Sequence, residues 1–172
     1  MKKLLMVIPL VFLLCFTFSC QQGEEGITEE EAKALFDRDL RIWNDGNLDI
    51  VDEIIAPNYV IYSDPHDPYE NQTLDHNTYK KRVLDFRTAY PDIQFTLEDI
   101  IAKGDKVLTR WTLRGTDKPR GKPFAVTGMT IYHIVGGKLK GHWQNWDRFG
   151  FYQQLGFTIT PPQSPEPPEE KK

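Results

Sequence analysis

Cysteine is nearly absent from this 172-residue chain: Cys15 and Cys20 are the only two, and both fall in the first twenty residues. Long apolar runs are equally scarce. The single candidate, Leu4 to Phe18, is shorter than the about 20 residues that a comfortable membrane span needs. A basic excess is missing too, since 21 Lys and Arg stand against 25 Asp and Glu, which argues against nucleic acid as a partner. No phosphate-binding glycine loop and no nucleophile elbow occurs. The four histidines, His66, His76, His133 and His142, lack any recognised ligand spacing. Oxygen and nitrogen donors do cluster at Asp64-Pro65-His66-Asp67, but no metal is expected there.

What the two ends contain is informative. Lys2 and Lys3 followed by the apolar run and then Ser19-Cys20 have the layout of a lipoprotein signal, cut before a cysteine that has been acylated. The expected organisation is a signal peptide over residues 1–19, a polar tether over 20–27 and one domain over 28–159. A proline-rich charged tail over 160–172 has nothing apolar to bury and is expected to stay disordered. Cys20 is the expected lipidation site, which puts the protein in the cell envelope, anchored to a membrane on its outer or periplasmic side. Cleavage would leave 19 basic against 25 acidic residues and a single cysteine, so no internal disulfide is possible.

Within the domain, Thr28-Glu29-Glu30-Glu31 reads as a capping box. Leu35, Phe36, Leu40 and Trp43 follow at helical spacing, and Asp45-Gly46 ends the helix. A second, short helix is expected from Asn47 to a stop at Pro57, then a short strand over Tyr59 to Tyr62. A third helix, capped by Asp75, carries Tyr79, Val83, Phe86 and Tyr90. After Pro91 the period changes to two: Ile93, Phe95 and Leu97 alternate, then Val107, Thr109, Trp111 and Leu113. Two more strands, about Phe124 to Val135 and Lys138 to Asp147, meet at the two-residue loop Gly136-Gly137. A short helix around Phe151 to Leu155 closes the domain. Helices first and an antiparallel meander after them give an α+β class.

A two-residue loop sets the register of the last hairpin, pairing Thr130 with Trp143, Gly128 with Asn145 and Val126 with Asp147. Cross-strand partners share a face, so Val126, Gly128, Thr130, Tyr132, Trp143, Asn145 and Asp147 are expected on one face. Met129, Ile131, His133, His142, Gln144 and Trp146 are expected on the other. The first set mixes large aromatics, a glycine and a few polar groups, the composition of a small-molecule pocket. Trp111, Tyr62 and Trp43 are further aromatic candidates for its wall. The bland alternative keeps Trp143 as core and Asp147 as a solvated strand end.

Three segments, WNDGNLDIVDEIIAPNYV, AYPDIQFTLEDIIAKGDKVLTRWTLRGT and VTGMTIYHIVGGKLKGHWQNWDRFGFYQQLG, together resemble the SnoaL-like polyketide cyclases of the nuclear-transport-factor-2-like superfamily. The resemblance spans about Thr28 to Gly156. It implies a cone-shaped fold, a curved antiparallel sheet wrapped around the N-terminal helices with a cavity inside. It also implies ring closure by aldol chemistry without metal or cofactor. In such enzymes an aspartate of the last strand is the acid/base, and Asp147 matches it. A histidine of the preceding strand is implicated as well, with His133 as the nearest match, although the register sets His133 and Asp147 on opposite faces. Either a β-bulge shifts the register or His133 is structural.

Three functional readings follow. The first is cofactor-independent acid/base chemistry on a small hydrophobic carbonyl compound, with Asp147 as the base. The second is a non-catalytic lipoprotein of the envelope that holds a hydrophobic ligand. The third, compatible with either, is a homodimer formed through the sheet face around Trp146, His142 and Met129.

Overall fold

The chain enters its first helix through the capping box. In the computed structural model, which describes residues 26–158 and 160, Thr28 Oγ1 accepts from the Glu31 N–H at 3.2 Å. The Glu31 carboxylate in turn accepts the Thr28 N–H at 2.9 Å. Helix α1 (Glu29–Asp45) follows, and Gly46 at φ 71° ends it in the left-handed conformation that glycine tolerates. Signal, tether and tail assignments for residues 1–25 and 161–172 lie outside the described residues.

Ala32, Leu35, Phe36, Asp39 and Ile42 form the buried face of α1. A 3₁₀ turn over Leu48–Ile50 and the one-turn helix α2 (Val51–Ile54) lead directly into strand β1 (Ile55–Ser63). Pro57 therefore does not stop a helix; it sits inside β1. Pairing of β1 with its neighbour breaks between Ile55 and Val60, the kind of gap in which a residue without an N–H belongs. The two-residue strand β2 (Thr73–Leu74) and helix α3 (His76–Ala89) come next, the latter capped by Asp75 as expected.

Four long strands, β3 (Gln94–Lys103), β4 (Lys106–Asp117), β5 (Lys122–Val135) and β6 (Lys138–Trp146), build the antiparallel meander. Helix α4 (Arg148–Gln154) closes it. The sheet order is β2-β1-β6-β5-β4-β3, with β1 parallel to β6 and every other pair antiparallel. This is the expected α+β architecture, helices inside a curved sheet, extended by the unexpected edge pair β1 and β2.

The last hairpin departs from the expected register. Next to the turn, where Gly136 and Gly137 both take positive φ, Val135 pairs with Lys138 and Ile134 with Leu139 as read from the sequence. Lys140 is then an extra residue, and His133 pairs with Gly141, Thr130 with Gln144 and Gly128 with Trp146. A one-residue slip exchanges the faces of a strand. His142, Gln144 and Trp146 consequently turn inward, while Trp143 and Asn145 turn outward. Gly141 is required at the slip, because a Cβ there would lie 2.3 Å from the Val60 carbonyl oxygen of β1.

Two apolar clusters hold α1, α2, α3 and α4 against the sheet. One gathers Phe36, Ile42, Ile54, Ile61, Val83 and Leu139; the other gathers Ile93, Trp111, Leu113, Phe124, Val126 and Phe151. β4 runs the length of the sheet between two ends. At one, Gly104 turns β3 into β4 and receives the entering chain through an Ile27 N–H to Gly104 carbonyl bond of 3.0 Å. At the other, the β4–β5 turn meets the end of α3 through a Lys118 N–H to Ala89 carbonyl bond.

Candidate active site

Between the helices and the sheet lies a cavity of about 390 Å³, within the range of small-molecule sites. Its walls are aromatic: Phe36 and Trp43 from α1, Tyr59 from β1, Tyr79 from α3, Trp111 from β4 and Tyr132 from β5 are among them. The rings interlock edge to face, with Phe36 and Tyr132 centroids 4.7 Å apart and Tyr59 and Tyr79 5.0 Å apart. The lining residues that are exposed, His66, Pro68, Asp85 and Tyr152, place the mouth between the loop after β1, the end of α3 and α4.

A polar chain crosses the sheet-side wall. Trp111 Nε1 donates to Thr130 Oγ1 at 2.9 Å, Thr130 donates to Gln144 Oε1 at 2.7 Å, and Gln144 Nε2 donates to Asp64 Oδ2 at 3.0 Å. Arg82 of α3 donates to Asp67 at 2.7 Å, stands 3.6 Å from Asp64 and lies over the Trp43 ring. Burial opposes the charge of Arg82, but the Asp67 carboxylate foremost holds its pKa above the ordinary value. Both carboxylates of the loop are thus spoken for.

His142 is 3% exposed and hydrogen-bonds the Tyr59 hydroxyl through Nδ1 at 2.6 Å. Its Nε2 stands 3.5 Å from Asp64 Oδ2, too far for a good bond. Burial pushes the His142 pKa down against the opposing pull of Asp64, so the imidazole is neutral. With Nε2 toward a carboxylate, the consistent tautomer carries its proton there and accepts a hydrogen bond from the Tyr59 hydroxyl at Nδ1.

Asp39 is different. It projects from the middle of the buried face of α1, three residues after Phe36 and four before Trp43, so all three share one side of the helix. It is 6% exposed, lines the cavity, and its Oδ1 meets no hydrogen-bond donor among the described residues. Burial pushes its carboxyl up to about 7, against a weaker pull from Arg82. Tyr79 and Tyr132 nearby are raised as phenols, chiefly by burial and further by the Asp39 charge, so both keep their protons. The site therefore offers one unpartnered carboxyl that titrates near neutrality, together with phenolic donors, in a poorly hydrated pocket.

The structure brings only part of the sequence-derived site together. Trp43, Trp111 and Tyr132 line the cavity, and Thr130 lies fully buried in the polar chain beneath it. Trp143 and Tyr62 are instead stacked on the outer sheet face, centroids 4.1 Å apart, and Asn145 is exposed there. The placements of Trp143 and Asn145 follow from the extra residue in β6, whereas Tyr62 is set by β1, whose buried alternation puts Ile61 inside and Tyr62 outside. His133 also faces outward, its Nδ1 3.2 Å from the Tyr62 hydroxyl and its Nε2 3.2 Å from Asp105. The slip moves β6 past β5, not His133 inward. Asp147 stands exposed just past β6, where its Oδ1 accepts the Gly150 N–H at 2.8 Å and caps α4. The face expected to form a dimer also changes: His142 and Trp146 point inward, leaving Met129 outside with Ile131 and Trp143. Asp39, Asp64, Arg82, His142 and Gln144 were missing from the sequence-derived site. Only Asp39 left a local signal, an acid inside an apolar helical stripe.

Comparison with curated proteins finds no match. Among solved structures, a protein assigned as a polyketide cyclase from Acidithiobacillus ferrooxidans is 39% identical, with a TM-score of 0.69 over 73% of this chain and 94% of that one. IdmH from Streptomyces antibioticus, also assigned as a polyketide cyclase, is 27% identical, with a TM-score of 0.61 over 73% of this chain and 98% of that one. TsrD from Streptomyces laurentii shares the fold at 23% identity and a TM-score of 0.66, over 76% of this chain and 98% of that one. The model of the SnoaL-like polyketide cyclases matches residues 34–155. With the fold, the cavity and this match in agreement, the chain belongs to the SnoaL-like polyketide cyclase family.

Proposed function

We propose that the domain performs cofactor-independent acid/base chemistry on a small hydrophobic carbonyl compound bound in the aromatic cavity, with Asp39 as the base. One observation carries this reading: a carboxyl group with an unpartnered oxygen, buried among rings and pushed up to about 7. A base is most effective when its pKa lies near the working pH and it faces the carbon it deprotonates. In the forward step Asp39 takes the proton next to the substrate carbonyl, and the electron pair moves onto the carbonyl oxygen. The Tyr132 and Tyr79 hydroxyls are the donors placed to stabilise that enolate. The enolate carbon then attacks a second carbonyl of the same molecule, whose oxygen takes up the proton held by Asp39, giving cyclisation; where the enolate is conjugated, Asp39 returns the proton to its remote carbon instead, giving isomerisation. Arg82, Asp64 and Asp67 hold the loop at the mouth and are consumed by one another.

The reading is tested without knowing the natural substrate. Wild-type domain is incubated with 2-tetralone in heavy water, and exchange of the α-protons is followed by proton NMR. Acceleration over buffer that falls at least about 100-fold in Asp39→Asn is expected, with Asp147→Asn remaining close to wild type. Loss of exchange in Asp147→Asn alone transfers the role to the carboxylate that the family resemblance nominates and refutes this assignment.

A further inference from the structure

The charge balance of the cavity is one-sided, and we infer that the cavity binds an organic ammonium ion, tertiary or quaternary, with the charged nitrogen against Asp39. Its lining carries the carboxylates of Asp39, Asp64, Asp67 and Asp85, and Arg82 is the one lysine or arginine among the described residues to oppose them. Arg82 is not available to a ligand, because Asp67 at 2.7 Å and Asp64 at 3.6 Å hold it. Asp85 is paired with Lys81. Asp39 is the carboxyl left over, buried, in the wall, with an oxygen that meets no donor among the described residues. An anionic ligand would meet carboxylates here and no free cation. An ammonium ion supplies the opposite charge that a buried carboxylate requires.

The rings around Asp39 supply the rest of the recognition. Phe36 and Trp43 share its side of α1, and Tyr59, Tyr79 and Tyr132 bring rings from β1, α3 and β5 into the same cavity. The Asp39 charge is felt by all three phenols. Aromatic faces attract an onium ion through their quadrupoles, most strongly where water is scarce. The fold already holds one buried cation in this way, with the Arg82 guanidinium 5.0 Å from the Trp43 ring centroid. A metal ion does not suit the same place. Hard cations take about six oxygen ligands, and no group of three or more His, Cys, Asp or Glu side chains that could hold a metal occurs among the described residues. The other titratable groups of the lining keep a fixed charge or lie at the edge. Burial keeps the three phenols protonated and His142 neutral, Arg82 stays charged, and His66 stands exposed at the mouth.

The inference rests on the same carboxyl as the proposed chemistry but not on its action as a base. The buried residues of both core clusters lie between residues 32 and 155, and the solved relative covered over 94% of its chain is little more than this domain. Residues 26–160 therefore suffice as the test protein. Benzyltrimethylammonium is the probe, small enough for a cavity of about 390 Å³, and its uncharged isostere neopentylbenzene is the control. Both are titrated against tryptophan fluorescence, which Trp43 and Trp111 in the wall report. A carboxyl pushed up to about 7 is ionised to about 3% at pH 5.5 and about 90% at pH 8. Affinity for the cation should therefore rise at least about tenfold between these values, while that for neopentylbenzene stays level. At pH 8, Asp39→Asn should weaken the cation at least about tenfold and abolish its pH dependence, and the isostere should bind it as it binds wild type. Phe36→Leu, which removes a ring face and keeps apolar bulk, should weaken the cation several-fold more than the isostere. His66→Asn, a change that the positive φ of 77° tolerates, should keep the pH dependence. Circular dichroism confirms that each variant is folded. No binding of the cation, binding that ignores pH and Asp39→Asn, equal effects of Phe36→Leu on both compounds, or a pH dependence lost in His66→Asn overturns the inference. Exchange of 2-tetralone that depends on Asp39 without cation binding refutes this inference alone, and cation binding without exchange refutes the base alone.

Discussion

Replacing Asp39 by Asn removes a buried ionisation and should change how stability depends on pH. The carboxyl has an ordinary value of 3.8 and stands at about 7 in the folded protein. The native state thus holds the proton more tightly than the unfolded chain. The associated stability is complete below about pH 4 and is lost as the pH rises through about 7. Roughly three pK steps at about 1.4 kcal/mol each amount to a loss of about 4 kcal/mol. Asparagine has the same shape and never ionises. Near pH 4 the variant and the wild type should therefore unfold at similar urea concentrations. At pH 8 the variant should be the more stable, by up to about 4 kcal/mol. Urea titrations followed by tryptophan fluorescence at pH 4.5, 6, 7 and 8 measure the difference, and contributions from groups distant from Asp39 cancel in it. A variant less stable than wild type at pH 8, or a difference that does not change with pH, would refute the reasoning. The first result would mean that Arg82 stabilises the ionised carboxylate more than burial disfavours it, and the second that the two effects balance. The catalytic and stability effects should then part: a base that stabilises nothing is kept for what it does to a ligand.

Asp147, as a helix cap, should behave differently: Asp147→Ala is expected to cost about 1 kcal/mol in urea titration, and Asp147→Asn only a few tenths, since asparagine caps nearly as well. Anchoring is tested separately in cells grown with labelled fatty acid, where wild-type protein should take up label in the membrane fraction and Cys20→Ala should not; equal labelling of both would remove the lipoprotein reading.

Much of the fold could be read from local pattern because local physics decides it. The Thr28 box, the Asp75 cap and the Gly136-Gly137 turn each act through a few neighbouring atoms, and each stands where the sequence sets it. Strand alternation also placed Gly128, Thr130 and Tyr132 on the cavity side correctly. Alternation cannot see an inserted residue, however, so Lys140 exchanged every face assignment in β6 beyond it. A glycine inside a strand, here Gly141, was the available warning, since it marks a bulge or a close backbone approach. Asp39 was legible in a second way that apolar counting hides: a lone acid inside a buried stripe is costly, and its cost signals use. The bonds joining Gln144 to Asp64 and Arg82 to Asp67 connect separate elements, the former across eighty residues, and no spacing rule reaches them.

The strand β4 has a consequence for traffic into the cavity. Its twelve residues, at about 3.3 Å each, separate the Gly104 turn from the α4 end by roughly 40 Å. The leading chain joins at the first end, and the opening framed by His66, Pro68, Asp85 and Tyr152 lies at the second. If the leading chain is anchored to a surface, as the lipoprotein proposal holds, it joins the fold at the end of β4 away from this opening, and the anchor does not obstruct the entrance. Under that proposal a ligand dissolved in water reaches the aromatic walls without first passing the point of attachment, so solubility in water would act as a filter ahead of shape.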